Sequence, residues 1–347
     1  MRLTIHKCIP NAQKLAIPIL TQLSNVTSNS DRAERKPMQK TVLVLGATGR
    51  FGRHAAEAFW NAGWTVQLFD RRRDDLMKAS RGADIIIAAW NPPYPLWRTH
   101  LPRLHAEVQA AARTSGATVL LPGNAYVYAP DATVPWSEAT PQAAPTPLGH
   151  VRQKIEQGYR DSGVQTILLR AGDFIDTDAT AGWFDRVLLS RISQGQLLYP
   201  GKTTALHAWA FLPDLARAAE HLSRQKHSLG TFEEIIFPGY AVTGEHLAGY
   251  LSRIAGRTVT ARRMPWLPLH MTAPVWPMAQ ALLELRYLWD TPHSLASIRL
   301  HDLCPTYRDT DIEDALGQAA AGRLAQARQQ RCVQPCHFTR RSTQTSL

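Results

Sequence analysis

The chain has 347 residues, 44% of them hydrophobic, and a formal net charge of +11. Both ends carry the excess: residues 1–40 and 321–347 each hold +5, leaving +1 for the body between them. A near-neutral body does not offer the basic face that nucleic-acid binding needs, so nucleic acid is not an expected partner. No apolar run approaches the ~20 residues needed to span a bilayer, and no membrane association is expected. The four cysteines, Cys8, Cys304, Cys332 and Cys336, make no disulfide framework, which fits a reducing, cytoplasmic location. Cys332, Cys336 and His337 lack a fourth ligand at matching spacing, so no metal site is expected.

Residues 1–37 have no core-forming period and read as an extension upstream of a start at Met38; a targeting or flexible tail is the alternative. The organising stretch follows: Val42-Leu43-Val44-Leu45-Gly46-Ala47-Thr48-Gly49-Arg50-Phe51-Gly52. A continuous apolar run is the mark of a buried parallel strand. Gly46 allows a sharp turn, Gly49 lets the backbone approach a phosphate, and Gly52 allows close helix–strand packing. A helix over His54–Asn61 would then present its N-terminus to a pyrophosphate. Strands are expected at 65–69, 83–89, 118–121 and 165–170, with helices over 101–114 and 149–161. That alternation predicts an α/β fold, a Rossmann-type doubly wound parallel sheet spanning residues 38–175, with its ligand crevice at the strands' carboxyl ends.

The rhythm changes after Asp173. Helices are expected over 183–192, 213–223 and 244–254, and strands at 235–237 and 258–262. A Trp-, Leu- and Pro-rich lid or helix pair is expected over 265–289. Residues 176–318 thus read as a mixed, mainly substrate-binding part that partly returns to the core, and 319–347 as a flexible basic tail.

Gly46-Ala47-Thr48-Gly49-Arg50-Phe51-Gly52 and the strand–helix rhythm resemble the extended and atypical short-chain dehydrogenase/reductases, the epimerase/dehydratase and NmrA-like branch. The resemblance runs over roughly Lys40 to Gly317. Thr146-Pro147-Leu148-Gly149-His150-Val151-Arg152 is similar to the segment that carries the family's Tyr-x-x-x-Lys, and Phe211-Leu212-Pro213-Asp214-Leu215-Ala216-Arg217 to a stretch before a late helix. In that family the tyrosine exchanges a proton with the substrate oxygen, the lysine holds the nicotinamide ribose, and a Ser or Thr positions the substrate. Here Leu148 stands in the tyrosine place, Arg152 in the lysine place and Asn124 where Ser or Thr is expected. Leucine has no proton to exchange, whereas Arg152 keeps a permanent charge.

The expected cofactor contacts are Gly46, Thr48, Gly49, Arg50, Phe51 and Gly52 in the turn, Asp70 and Arg71 after the second strand, Ala89 after the third, and Arg152. Asp70 at that position would bind a ribose 2′-hydroxyl and favour NAD; Arg71 could pair with a 2′-phosphate. The balance leans to NADP. For catalysis the candidates are Tyr126, as substitute acid, and Asn124, two residues earlier on what reads as one face of an extended segment; packing competes as the role of Tyr126. Asp173 reads as a base or, preferably, a turn cap, and His207 as structural. The expected function is an NAD(P)-dependent oxidoreductase or epimerase acting on a small carbonyl or sugar-type substrate. The alternative is a catalytically silent NAD(P)-binding redox sensor or regulatory module. A homodimer is the candidate assembly.

Overall fold

The computed structural model describes residues 40–178 and 182–332. The expectations for residues 1–37, Cys8, Cys336 and His337 lie outside them.

Six parallel strands form the main sheet: β1 (Thr41–Leu45), β2 (Thr65–Phe69), β3 (Ile85–Ala88), β4 (Thr118–Gly123), β5 (Thr166–Arg170) and β9 (Phe232–Ile236), in the order β2-β1-β3-β4-β5-β9. The order reverses between β1 and β3, which opens a crevice at their carboxyl ends. Only residues 70–84 connect β2 to β3, with one short helix, α2 (Leu76–Ala79). That length leaves no room for a further strand and its crossover, so β2 is the sheet edge and its Leu68 is exposed.

The apolar runs read in sequence are strands buried on both faces. Leu43, Ile86, Val119 and Leu168 face one way, toward α3 (Trp97–Ser115) and α4 (Pro147–Asp161), where Val108, Ala111, Ile155 and Tyr159 meet them. Val42, Val44, Ile85, Ile87 and Leu169 face the other, toward α1 (Arg50–Asn61) and α5 (Leu212–Arg224), through Ala55, Phe59, Leu215 and Leu222. The period of two along each strand sorts these side chains between two helical layers. Truncating the fully buried Phe59 to alanine would cost about 3–5 kcal/mol.

Helix limits follow local chemistry. The Thr146 hydroxyl accepts from Gly149 N and Pro147 opens the first turn of α4. The expected start of α1 at His54 is four residues late, because the helix begins at Arg50, directly on Gly49. The expected starts of α3 and α4 are late too: α3 begins at Trp97, four residues before Leu101, and Pro147, expected in the loop, opens α4 where its missing N–H costs nothing.

Past β5 the chain builds a second layer. β6 (Asp173–Ile175), β8 (His207–Phe211) and β10 (Tyr240–Val242) form a three-stranded sheet, and β7 (Gln196–Tyr199) pairs with β11 (Thr260–Arg263). A third apolar cluster joins these strands to α6 (Gly244–Ala255) and α11 (Ile312–Cys332), through Trp209, Leu247, Leu251 and Leu316. Where one helix was expected over 183–192, residues 183–194 form a π turn followed by 3-10 helix, broken at Arg191. The 265–289 stretch holds α7 (Leu267–Thr272), α8 (Pro277–Glu284) and α9 (Tyr287–Asp290); α10 (Ile298–Leu303) follows. The tail expected to be flexible from residue 319 is corrected in its first part. Residues 319–332 continue α11, with Ala319, Ala320, Leu324 and Ala327 buried. Its small apolar side chains pack closely, a pattern that a count of Ala, Gln and Arg conceals. Among the described residues no helix is long and apolar enough to cross a membrane.

Candidate active site

One crevice of about 660 Å³ opens where the order of the main sheet reverses. Its first wall is the glycine turn. Gly46 has φ +81°, and a Cβ there would lie 2.8 Å from the carbonyl oxygen of Ala89. Gly52 does not line the crevice; a Cβ on it would come within 2.2 Å of Gly46 O, so its hydrogen is what lets α1 sit against the turn. Gly49 heads α1 with no side-chain cap, and no acidic residue follows in the first turn. The first-turn N–H groups therefore keep their affinity for an anion, with the helix dipole behind them. Thr48, Gly49, Arg50 and Phe51 line the crevice, as does Ala89. A pyrophosphate fits this wall: the backbone is bare where it must approach, and although Gly49 N donates to Gly46 O, the first-turn N–H groups after it have no side-chain cap.

At the end of β2 the two charged candidates part. Asp70 turns its carboxylate into its own loop, accepting from Arg72 N at 3.0 Å and lying 3.7 Å from Arg73 Nε. It does not line the crevice, so the expected ribose contact from Asp70 is corrected: the side chain caps a turn. Arg71 does line it, with its guanidinium 5.8 Å from the centroid of the Trp90 ring.

The far wall carries the acid–base groups. The Tyr126 and Tyr94 hydroxyls are hydrogen-bonded at 2.9 Å. Trp97 packs against both rings, its centroid 6.2 Å from that of Tyr126 and 5.0 Å from that of Tyr94. Burial, above all, pushes the Tyr126 phenol well above the usual tyrosine range, and the neighbouring Tyr94 and Asp173 add to this. Tyr94 is raised too, chiefly by burial. Asn124 and Tyr126 both line the crevice, but not as alternate residues of an extended strand. Asn124 Oδ1 accepts from Tyr126 N at 3.1 Å and caps a 3-10 turn over Ala125–Val127. The expected extended geometry is thus corrected, and the Asn124 carbonyl oxygen already has a partner.

Asp173, preferred in sequence as a turn cap, instead opens β6 and pairs with His207: Nε2 lies 2.8 Å from Oδ2. His207 is buried, stacked on Trp289 with centroids 4.3 Å apart, and edge-on to His293. Only Asp173 of this pair reaches the crevice. The four-residue step from Leu148 to Arg152 follows one face of α4. Leu148 is buried in the core, and its N–H donates to Glu284. Arg152 lines the crevice; its Nη2 donates to Pro122 O at 2.5 Å and its guanidinium lies over the Trp97 ring at 5.8 Å.

Tyr94 went unnoticed in sequence. Its signal was Asn91-Pro92-Pro93, a turn at the carboxyl end of the third strand, where ligands of open α/β sheets bind. Among the described residues no group of His, Cys, Asp and Glu could hold a metal ion.

No protein-family model matches the sequence, and no curated protein matches it either. Solved structures do. MoeE5, in complex with UDP-glucose and NAD, aligns at 14% identity and a TM-score of 0.63, over 84% of this chain and 99% of its own. The UDP-N-acetylglucosamine 4-epimerase of Bacillus cereus aligns at 14% identity and 0.62, over 82% and 99%. A dTDP-4-dehydrorhamnose reductase of Clostridium acetobutylicum aligns at 13% and 0.61, over 81% and 98%. At these identities the likeness is one of fold: this chain folds as MoeE5 and these two proteins do.

Proposed function

We propose that the protein is an NAD(P)-dependent oxidoreductase or epimerase acting on a small carbonyl or sugar-type substrate. One observation carries this reading: a single crevice joins an uncapped glycine turn to a hydrogen-bonded Tyr126–Tyr94 pair and the Asp173 carboxylate. The dinucleotide, when bound, supplies or accepts a hydride. Gly46 and Gly49 leave room for its pyrophosphate, and the N-terminus of α1 offers N–H donors. Arg71, beside Trp90, is placed to pair with a 2′-phosphate, which supports NADP over NAD. MoeE5, a neighbour in fold, was solved with NAD, so cofactor choice rests on Arg71 itself.

At the reacting end, Tyr126 is the proton donor. Burial keeps its phenol protonated, and Tyr94 holds the hydroxyl in place at 2.9 Å. A phenol held this far above neutrality stays protonated but is a weaker acid than a free tyrosine, so donation needs negative charge developing on the substrate oxygen. In the reverse direction the proton returns to Tyr126, and Asp173, paired with His207, contributes a carboxylate to the same crevice. Leu148 takes no part.

The second reading, a silent NAD(P)-binding sensor, is favoured by that same raised phenol and by Leu148 in the tyrosine place. Nicotinamide absorbance with small carbonyls, together with chromatographic detection of epimers from UDP-sugars, separates the two, since an epimerase returns its hydride and leaves net absorbance unchanged. Turnover that is lost in Tyr126→Phe while NADPH still binds supports the enzyme. NADPH binding with no turnover of any substrate supports the sensor, and absence of NADPH binding overturns both.

A further inference from the structure

The polar groups around Arg152 leave one positive charge over. Glu156 and Glu234 are both taken by the fully buried Arg170, at 2.7 and 2.6 Å. Glu234 is shared further with Arg160, and the Glu156 oxygen that meets Arg170 at 2.7 Å also accepts from Gln142, while its other oxygen lies 3.3 Å from Arg170 Nη1. Three guanidinium groups thus meet two carboxylates, and Arg152, though attracted by the nearby charge of Glu156, is the one with no direct ion pair among the described residues. It is 5% exposed, held by a single neutral carbonyl and the Trp97 ring, and its Nε has no hydrogen-bond partner. His105 is also close enough to feel its charge but is held neutral, lowered to about 3 by burial and by Arg152. It supplies no counter-charge.

A buried guanidinium without a carboxylate is costly to the folded state. It persists where a ligand supplies the anion. Arg152 lines the crevice, and Trp97, over which it lies, also packs on the Tyr126 and Tyr94 rings. The ribose hydroxyls of a dinucleotide are neutral and would leave this charge uncompensated.

We propose that Arg152 binds an oxyanion of the substrate, a carboxylate or a phosphate, beside the Tyr126–Tyr94 pair, so that the crevice selects acidic substrates. Nε is closed off from the crevice, so the oxyanion meets the terminal nitrogens of the guanidinium that line it, and the planar fork suits either group. This rests on the reading of the crevice as a cofactor and substrate site, but it is tested without turnover.

The full chain, saturated with NADPH and held at constant ionic strength, is titrated with acetate, methyl phosphate and the neutral acetamide while its melting temperature is followed. Acetate or methyl phosphate raises the melting temperature of the wild type and acetamide does not; whichever anion acts more strongly identifies the group. In Arg152→Met the anion response weakens by about 10- to 100-fold in concentration, the loss of a charge-assisted hydrogen bond. The ligand-free melting temperature of that variant stays level or rises, because an uncompensated charge has gone. Arg152→Lys keeps the charge and retains part of the response. Equal responses to the three probes in the wild type, or an undiminished anion response in Arg152→Met, would overturn the proposal. NADPH binding is measured separately by its fluorescence. A protein that binds NADPH but ignores anions loses this inference alone, whereas one that does not bind NADPH loses the cofactor reading.

Discussion

The two ends of the crevice are built in opposite ways. At the glycine turn the ligand-facing atoms are backbone, set by seven consecutive residues, Gly46 to Gly52, and by the helix that begins at Arg50. At the other end they are side chains, drawn from segments far apart in the chain. Tyr94 meets Tyr126 across 32 positions, and Asp173 meets His207 across 34. Trp289 stacks beneath His207 from the lid segment. A backbone site tolerates change in everything but its glycines. A side-chain site depends on the packing that brings its members together, and can be re-equipped one residue at a time. That difference explains how a chain with Leu148 buried in α4 can keep the glycine turn intact.

The comparison can be broken at its far end first. Tyr126→Phe removes the hydroxyl and keeps the ring against Trp97. If Tyr126 is the acid, turnover falls by about 100- to 10,000-fold with NADPH affinity unchanged. Parental turnover in the variant would show that the pair with Tyr94 only packs.

Protons test the buried packing through stability. Burial, chiefly, lowers both His105 and His293 to about 3, against an ordinary value of 6.5. Both are held neutral when folded and take a proton when unfolded. Their contribution is therefore present above about pH 6.5 and lost as the pH falls toward 3. Between pH 7 and pH 5 the loss amounts to about 2 kcal/mol for each. Urea unfolding at the two pH values should show it, and His105→Gln should flatten the slope. A slope unchanged in that variant would contradict the account of His105.

At the near end, Arg71→Ala sharpens the comparison by asking whether one side chain adds to a backbone site. NADP should bind about 1.5–3 kcal/mol more weakly, the range for a charge-assisted hydrogen bond, and NAD should change little. Equal losses for the two cofactors would remove the 2′-phosphate role. The smallest effect belongs to Asn124→Ala, which removes the acceptor for Tyr126 N. Melting should report a loss of about 0.5–1.5 kcal/mol; a far larger loss would mean that Asn124 holds more than its own turn.

Sequence made the near end legible because everything it needs is local. A strand reads as Val42-Leu43-Val44-Leu45, glycines mark the turn, and the order of strands and helices places the crevice. The same locality misled at Asp70, where strand position suggested a ribose contact but Asp70, Arg72 and Arg73 form a turn of their own. It misled again at Asn124 and Tyr126, since alternation presumes an extended backbone and the Asn124 side chain instead folds a 3-10 turn. The pairing of Asp173 with His207 was hidden because β6 and β8 are short strands that gain their partners only in the folded chain. The charge left over at Arg152 was beyond reach in principle, since it appears only when Glu156 and Glu234 are seen to close on Arg170.

The central claim is that a dinucleotide lies on the turn Gly46–Gly52, and calorimetry of NADPH binding tests it most directly. The wild type should bind, and a Gly49→Val protein shown to be folded by circular dichroism should not, because a branched side chain then stands where the pyrophosphate must approach. Undiminished affinity in the folded variant, or no binding by the wild type, would contradict it.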